Sequence, residues 1–262
     1  MIKEFLKPSN IKEAVKLKKE IKHSFYLGGG TKLNNGGESF GAEVFISLEN
    51  LNLKGIEIVN GKVKIGAMET LQQLIDSPDI PEFLKQSALG ETNRNIRNAS
   101  TIGGVIAARK SWSTALVGLM ALDVEVETAD GGIIKIDDYV KSGKDNLIVN
   151  LFLLSGNFSQ YQNNQRKTAN SRPEICIAAS IGKSGEKLSS AIVVLGGIAD
   201  RPIRLTEVES KLIDGTLDKA DAVQDSVMDV IVKYTEKLEN GPYLNYLSGV
   251  IAADCVGRCM RS

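Results

Sequence analysis

The spacing of apolar residues predicts a small β-α-β arrangement in roughly the first fifty residues. Residues 10–21 (NIKEAVKLKKEI) open with Asn10 as a helix cap, and their apolar positions recur on one face while the lysines lie on the other. Two short apolar runs follow, HSFYL at 23–27 and EVFISL at 43–48, and both are typical of strands.

From residue 56 the pattern changes to alternation of apolar and polar positions. Ile56–Val59 and Lys62–Gly66 flank Asn60-Gly61, the dipeptide that most strongly favours a two-residue hairpin. A helix is expected to begin at Glu69 or Thr70. A second helix is expected in PEFLKQSALG, ended by Gly90 at its carboxyl end.

Residues 95–108 (NIRNASTIGGVIAA) are interpreted as a glycine-containing turn that leads into an apolar helix at 113–123. Residues 124–136 (VEVETADGGIIKI) repeat the hairpin pattern around a second glycine pair, and 146–154 (NLIVNLFLL) predict a buried strand. The region from about residue 55 to about 155 is therefore predicted to be an α+β lobe.

The carboxyl-terminal third is predicted to form a separate domain. Residues 155–174 are polar and rich in turn formers, which indicates a passage between domains. Strands are expected at 174–182 and 188–197, followed by helices from about Thr206. The sequence as a whole predicts an α+β protein with three parts, which span residues 1–54, 55–157 and 158–262.

Charge and composition narrow the class of partner. The 262 residues contain 32 Lys plus Arg and 32 Asp plus Glu, a balance that favours neither nucleic acid nor an anionic membrane as the main partner. The amino terminus lacks an apolar core of signal-peptide length, and apolar runs such as 191–199 are much shorter than a bilayer span. We therefore expect a cytoplasmic protein without membrane segments.

Few residues are suited to acid–base or metal chemistry. His23 is the single histidine, which argues against histidine-dependent hydrolase and metal sites, and its position before a strand favours a structural role. Of three cysteines, Cys255 and Cys259 lie four apart on a predicted helix. Two thiolates do not complete a zinc or iron–sulfur site, so we expect them to pack in the core.

Two glycine segments are the strongest candidates for function. FYLGGGTKL at 25–33 is neither a dinucleotide fingerprint, because Leu33 stands where the last glycine is needed, nor a phosphate-binding Walker loop. Successive glycines nevertheless allow backbone N–H groups to converge on an anion, although a bare turn explains the segment equally well. STIGGVIAA at 100–108 can likewise be either an anion-binding segment or a bare turn. Two such segments together can clamp a diphosphate from both sides.

The order of these motifs resembles the flavin-binding medium subunits of molybdenum hydroxylases, the xanthine dehydrogenase and carbon monoxide dehydrogenase family. The resemblance is carried by LGGGTKL, NIRNASTIGG and LDVEVETADG, and it continues through LGGIADRPIRLTEVE at 195–209 and YLSGVIAADCVGR near the end. It covers essentially the whole chain. It implies a two-subdomain FAD-binding fold of the vanillyl-alcohol oxidase type, at 1–54 and 55–157, plus a carboxyl-terminal domain with antiparallel sheet and helices.

The resemblance also implies which residues contact FAD. The first motif contacts the diphosphate in that family, and the second motif, usually TIGGN, lies opposite. Carried over residue by residue, the expected cofactor-binding residues are Leu27, Gly28, Gly29, Gly30, Thr31, Lys32, Leu33, Thr101, Ile102, Gly103 and Gly104. No residue of this chain is expected to be catalytic, and none is expected to bind a metal.

Two departures from the family pattern concern the second motif. Val105 replaces the usual asparagine, and the acidic residue common near the start of the following helix is missing from KSWSTAL. Ser111, Ser113 or Thr114 can supply substitute hydrogen-bond donors.

The function implied is that of a flavoprotein oxidoreductase subunit, incomplete alone. Electrons would come from a molybdenum cofactor on a large partner subunit and 2Fe–2S clusters on a small one, and would leave FAD for NAD or another acceptor such as a protein. The alternative is a non-catalytic assembly module of the same complex with weakened FAD binding. A third alternative, a doubly wound nicotinamide enzyme, requires the fingerprint that the first glycine segment lacks.

Overall fold

A computed structural model of the protein describes residues 2–32, 41–154, 158–168, 171–185 and 187–261. Contacts divide the chain into two compact units, each assembled from three separate segments. Unit 1 comprises Met1–Ile80, Thr92–Ala108 and Val124–Leu153, and unit 2 comprises Pro81–Glu91, Arg109–Asp123 and Leu154–Ser262. The boundaries expected for three domains, after residues 54 and 157, stay a prediction.

Unit 1 begins with a three-stranded parallel sheet. Strands β1 (Glu4–Leu6) and β2 (Ser24–Leu27) both pair with β3 (Val44–Ser47), which lies between them. Helix α1 (Ile11–Glu20) precedes β2, and the Asn10 side chain caps it by accepting a hydrogen bond of 2.9 Å from the Glu13 N–H. The predicted helix and both predicted strands are confirmed, and β1, which the prediction did not include, is the strand that begins the β-α-β order.

The second sheet of unit 1 is antiparallel. It contains β4 (Ile56–Val59), β5 (Lys62–Gly66), β6 (Glu125–Thr128), β7 (Ile133–Lys135) and β8 (Ile148–Leu153), in the order β4-β5-β8-β6-β7. Both predicted hairpins are confirmed, and the first turns at Asn60 and Gly61 with φ of 51° and 76°. This topology differs from the doubly wound parallel sheet of nicotinamide enzymes, which removes the support for that alternative.

Four helices complete unit 1 among its described residues: α2 (Leu71–Asp76), α4 (Arg94–Arg97), α5 (Ile102–Ala108) and α7 (Ile136–Ser142). The start of α2 is confirmed, because Thr70 caps it. The glycine turn expected at 95–108 is wrong, because α5 includes both Gly103 and Gly104. A Cβ on Gly103 would lie 2.8 Å from the Cβ of Ala67, so packing requires glycine inside this helix despite its poor propensity.

Unit 2 is built on an antiparallel sheet of four strands, in the order β12-β11-β10-β9. The strands are β9 (Phe158–Arg166), β10 (Pro173–Ser184), β11 (Lys187–Gly196) and β12 (Ile203–Arg204). The helices are α3 (Glu82–Glu91), α6 (Thr114–Ala121), α8 (Thr206–Ile213), α9 (Ala220–Thr235) and α10 (Gly241–Arg261). The expected α+β class and helical carboxyl-terminal region are confirmed. Among the described helices, none combines the length and apolarity needed to cross a bilayer.

Two details of unit 2 differ from the sequence prediction. Much of the polar stretch 155–174 is not a passage but strand β9, which pairs with β10 from Phe158 opposite Gly182 to Arg166 opposite Pro173. The sequence pattern did not predict this strand because most of its side chains are polar. Its place at the sheet edge depends on hydrogen-bonded pairing with β10 and not on alternating apolar residues. Gly90 does not end α3, which continues to Glu91.

Candidate functional site

The two glycine segments lie against each other within unit 1. A Cβ on Gly28 would stand 2.9 Å from the Thr101 hydroxyl, and a Cβ on Gly29 would stand 1.6 Å from the carbonyl oxygen of Ala99. Only glycine allows the two backbones to approach this closely. We call residues 28–31 and 100–104 together the glycine cradle.

The first segment of the cradle presents unused backbone donors. Gly28, Gly29 and Gly30 follow β2, and Gly30 has a φ of 71°, a conformation that favours glycine. Within the described residues, no acceptor receives a hydrogen bond from the N–H groups of these three glycines. Gly29 is exposed and its two neighbours are half-buried. Three successive donors are therefore available to an anion.

The second segment supports the first through one side chain. The N–H groups of Ile102 and Gly103 are already used, since they donate to carbonyl oxygens of the β5–α2 connection at 2.8 and 2.9 Å. The Thr101 hydroxyl accepts a hydrogen bond of 3.2 Å from the Gly104 N–H. Thr101 and the exposed Gly104 thus line the cradle, whereas Ile102 and Gly103 are buried beneath it.

A hydroxyl pair joins the two segments. The Oγ1 atom of Thr31 lies 2.9 Å from the Oγ atom of Ser100, which is 69 residues away along the chain. Ser100 is buried, with 2% of its surface exposed, and Thr31 is half-buried. The second glycine segment of the sequence prediction begins with Ser100, but only Thr31 of this pair was among the expected cofactor-binding residues, because no pattern along the chain links the two positions.

The remaining predicted residues flank the cradle. Leu27 and Lys32 are half-buried, and the carbonyl oxygen of Leu27 accepts a hydrogen bond of 3.0 Å from the Leu48 N–H, which continues the pairing of β2 with β3. Leu33 lies outside the described residues. Val105, which stands where the family usually has asparagine, is 2% exposed and packs in the interior of unit 1.

These features fit the diphosphate of a dinucleotide. The cradle offers neutral N–H donors and the Thr31 hydroxyl, at a place where glycine lets the two segments pack closely. Convergent backbone donors stabilise phosphate oxygens without a cationic side chain.

The hydroxyl groups expected to replace the missing acid are bound elsewhere, within unit 2. The Ser113 hydroxyl donates to Glu91 Oε2 at 2.8 Å, and the Thr114 hydroxyl donates to the Ser87 carbonyl at 2.8 Å. The Ser111 hydroxyl accepts a hydrogen bond of 2.8 Å from the Gly197 N–H. Ser113 and Thr114 are therefore not available as donors to a cofactor while these bonds hold.

Glu91 is a buried carboxylate that the sequence prediction missed. It lies at the start of α6, where it also accepts a hydrogen bond of 3.2 Å from the Ala115 N–H. Only 6% of its surface is exposed. It is contributed by α3, so no motif near α6 reveals it.

All three thiols are buried in unit 2, and burial raises the pKa of each. The Cys255 and Cys259 thiols face the main-chain carbonyls of Ile177 and Ala179 at 3.8 and 3.6 Å. The expected packing role is confirmed for this pair. In the part of the chain that the structure describes, no cluster of three or more potential metal ligands is present.

Comparison with known families agrees with the cradle. Residues 1–152 match the FAD-binding domain in molybdopterin dehydrogenase. The chain belongs to this family. The predicted resemblance to FAD-binding subunits of molybdenum hydroxylases is thereby confirmed.

The similarity extends over the whole chain. The uncharacterized protein YgfM of Escherichia coli K12 is 29% identical over 264 residues, which cover 100% of this chain and 98% of YgfM. A chain of carbon monoxide dehydrogenase from Hydrogenophaga pseudoflava, lacking the Mo-pyranopterin moiety of the molybdenum cofactor, is 20% identical with a TM-score of 0.87 over 100% of this chain and 98% of that one. A chain of quinoline 2-oxidoreductase from Pseudomonas putida 86 is 15% identical, with a TM-score of 0.79. The match covers 100% of this chain and 97% of that one. These structural likenesses confirm the predicted fold.

Proposed function

We propose that this chain is the FAD-binding electron-transfer subunit of a multi-subunit molybdenum hydroxylase of the xanthine dehydrogenase type. Electrons from iron–sulfur clusters on a partner subunit would reach NAD or another acceptor through FAD held on this chain. Membership of the family of FAD-binding domains supports the proposal. So does the full-length likeness to chains of carbon monoxide dehydrogenase and quinoline 2-oxidoreductase.

The observation that carries the proposal is the row of unused N–H donors at Gly28, Gly29 and Gly30 beside the Thr31 hydroxyl. These groups would hold the FAD diphosphate, with Thr101 and Gly104 on the opposite wall. FAD would supply the redox chemistry when bound, so the chain's own residues need only bind and orient it.

The other predicted site residues have supporting roles in this proposal. Leu27 and Lys32 would fix the ends of the first segment, and Ile102 and Gly103 would hold the second segment in place from below. Leu33 is included only on the family resemblance.

The metal centres are assigned to partner chains, with the molybdenum cofactor on a large subunit and 2Fe–2S clusters on a small one. The burial and the raised pKa of the three thiols support this assignment. Cluster ligands are thiolates, whereas each of the three cysteines here is buried with a raised pKa. We also retain the division into FAD-binding subdomains at 1–54 and 55–157 and a carboxyl-terminal domain at 158–262 as part of the proposal.

A flavin titration tests the proposal. The purified full-length chain should show flavin absorbance or gain it when FAD is added. Gly104→Val should abolish this binding, because a Cβ there would lie 2.8 Å from the Thr101 hydroxyl. Gly132→Val is the matched control, since its Cβ would meet only the Thr128 hydroxyl at 3.8 Å in a hairpin turn. Absence of flavin from both the chain and its complex with partner subunits would refute the proposal.

One observation favours the second candidate function, an assembly module with weakened FAD binding. Val105 packs in the interior where the family usually has a polar residue, so this position offers no side-chain hydrogen bond to a cofactor. The same titration decides between the two candidates. The assembly role is favoured if the chain joins the complex normally while FAD binds only at concentrations far above the physiological range.

A further inference from the structure

We infer that Ser100 is a positioning residue, which donates a hydrogen bond to Thr31 and thereby directs the Thr31 hydroxyl proton toward the diphosphate of the flavin. This inference rests on the proposed function. It concerns a residue outside the set that the motifs predicted.

The Ser100 oxygen is held in a fixed position. Its main chain is bonded on both sides, because the Ser100 N–H donates to the Ile96 carbonyl at 2.8 Å and its carbonyl accepts from the Leu71 N–H at 2.9 Å. Burial restricts the side chain further, with only 2% exposed. Thr31, by contrast, is half-buried, and its main chain makes no hydrogen bond within the described residues. Ser100 is thus the fixed partner of the pair and Thr31 the adjustable one.

The direction of the hydrogen bond follows from the number of protons and acceptors that the two hydroxyl groups have. Each hydroxyl carries one proton, and a buried donor left without an acceptor is costly. In the described part of the chain the Ser100 hydroxyl has Thr31 as its one hydrogen-bond partner, at 2.9 Å. The Ser100 hydroxyl therefore donates its hydrogen bond to the Thr31 oxygen, which acts as the acceptor. The Thr31 proton then points away from Ser100 and is available to an anion beside the three glycine donors.

Anion binding should reinforce this arrangement. A phosphate oxygen is an acceptor, so Thr31 must donate to it and can only accept from Ser100. The two bonds form a short chain in which each polarises the next. Removing the Ser100 hydroxyl leaves the Thr31 side chain free to rotate. Binding must then order this side chain, and the lost rotational entropy makes the binding free energy less favourable.

A double-mutant cycle tests the coupling. The purified full-length chain, its Ser100→Ala and Thr31→Val variants and the double variant are titrated with FAD. We expect Ser100→Ala to weaken binding about five- to tenfold, the effect of losing one hydrogen bond between neutral groups. In the Thr31→Val background, Ser100→Ala should change the affinity by less than about twofold, because the proton it orients is gone.

Ser24→Ala is the matched control for loss of a buried serine. Ser24 is 1% exposed and its hydroxyl donates to the Ile21 carbonyl at 2.7 Å, so the variant should lower the melting temperature of the chain without changing FAD affinity. If Ser100→Ala does not fold, Ser100→Cys keeps a similar volume with a weaker donor and should shift the affinity in the same direction.

The outcomes separate the two levels of the proposal. A wild-type chain that takes up no FAD overturns the proposed function and this inference with it. A wild-type chain that binds FAD, with Ser100→Ala or its cysteine replacement binding equally well, overturns only the positioning role. Equal losses from Ser100→Ala with and without the Thr31 hydroxyl would also overturn it, since they would indicate a purely structural effect.

Discussion

The glycine cradle of unit 1 and the pair Gly196-Gly197 of unit 2 both let two backbones pack closely, but the result differs between the two places. In unit 2, a Cβ on Gly196 would lie 2.1 Å from the Ser111 carbonyl oxygen, and a Cβ on Gly197 would lie 1.9 Å from that of Glu174. In unit 1, Gly29 approaches the Ala99 carbonyl just as closely. In both places the missing side chain lets two backbones touch.

The two places differ in what happens to the backbone donors. The Gly197 N–H is bonded to the Ser111 hydroxyl at 2.8 Å, so this contact is complete within the protein. The N–H groups of the three glycines in the cradle have no acceptor among the described residues. Close approach alone therefore indicates packing, whereas close approach with unused donors indicates a binding site.

The largest expected effect is on stability, from Gly197→Ala. Its φ of 111° and the Glu174 carbonyl both exclude a side chain, so we expect a loss of at least about 4 kcal/mol in the free energy of unfolding. Urea unfolding measures it. Gly215→Ala is the control, with a φ of 82° but open space around it, and should cost only about 1–2 kcal/mol. Equal costs for both variants would show that backbone strain, and not the contact, explains Gly197.

The next largest effect is on ligand binding, from Gly29→Ala. A Cβ 1.6 Å from the Ala99 carbonyl must push the two segments apart and misalign the donors. We expect FAD affinity to fall about a hundredfold, or about 2.8 kcal/mol, in a flavin titration. Gly132→Ala should bind FAD as the wild type does. The distinction between the two glycine sites fails if Gly29→Ala unfolds the chain but the folded fraction binds FAD normally.

Glu91→Gln tests whether the polar groups of unit 2 are as fully satisfied as the contacts indicate. Both donors bind the same oxygen, Oε2, and a neutral amide oxygen accepts from the Ser113 hydroxyl and the Ala115 N–H more weakly than a carboxylate does, so we expect a loss of about 2 kcal/mol in thermal or urea unfolding. Glu82→Gln, at the exposed start of the same helix, should change stability by less than about 0.5 kcal/mol. A Glu91→Gln chain as stable as the control would contradict the structural role of this carboxylate.

The smallest effect is the share that one thiol of unit 2, Cys259, has in a loss of stability in alkali. Burial raises the pKa of Cys259 from 9.0 to about 11, and it raises the pKa of Cys176 and Cys255 in the same direction. Above pH 9 the unfolded chain releases thiol protons that the folded chain still holds. Stability should thus be constant below this pH and fall through about pH 11, by up to about 1.4 kcal/mol per pH unit for each thiol.

Urea unfolding at about pH 8 and about pH 10 measures this dependence. Cys259→Ala should make the decline shallower by the share of one thiol, because alanine has no proton to release. A decline of the same steepness in both chains would show that Cys259 is not the buried thiol that the structure indicates.

Much of the fold was predictable because its signals are local. Asn60-Gly61 determines a hairpin through the φ values that these two residues tolerate, and Asn10 and Thr70 begin helices through bonds to residues three positions away. The strands β10 and β11 are apolar enough to be recognised alone. The first glycine segment was also evident, although the sequence did not distinguish a phosphate site from a bare turn.

The sequence by itself therefore determined the order and type of most elements, together with the two motifs that indicate the family. The tertiary structure alone decided which groups meet. It placed Ser100 beside Thr31 and brought the Glu91 carboxylate to the start of α6. It also packed the helix of the second glycine segment so close to Ala67 that position 103 has no room for a side chain. The physical reason is range: caps and turns act within a few residues, whereas these contacts join positions that only folding brings together.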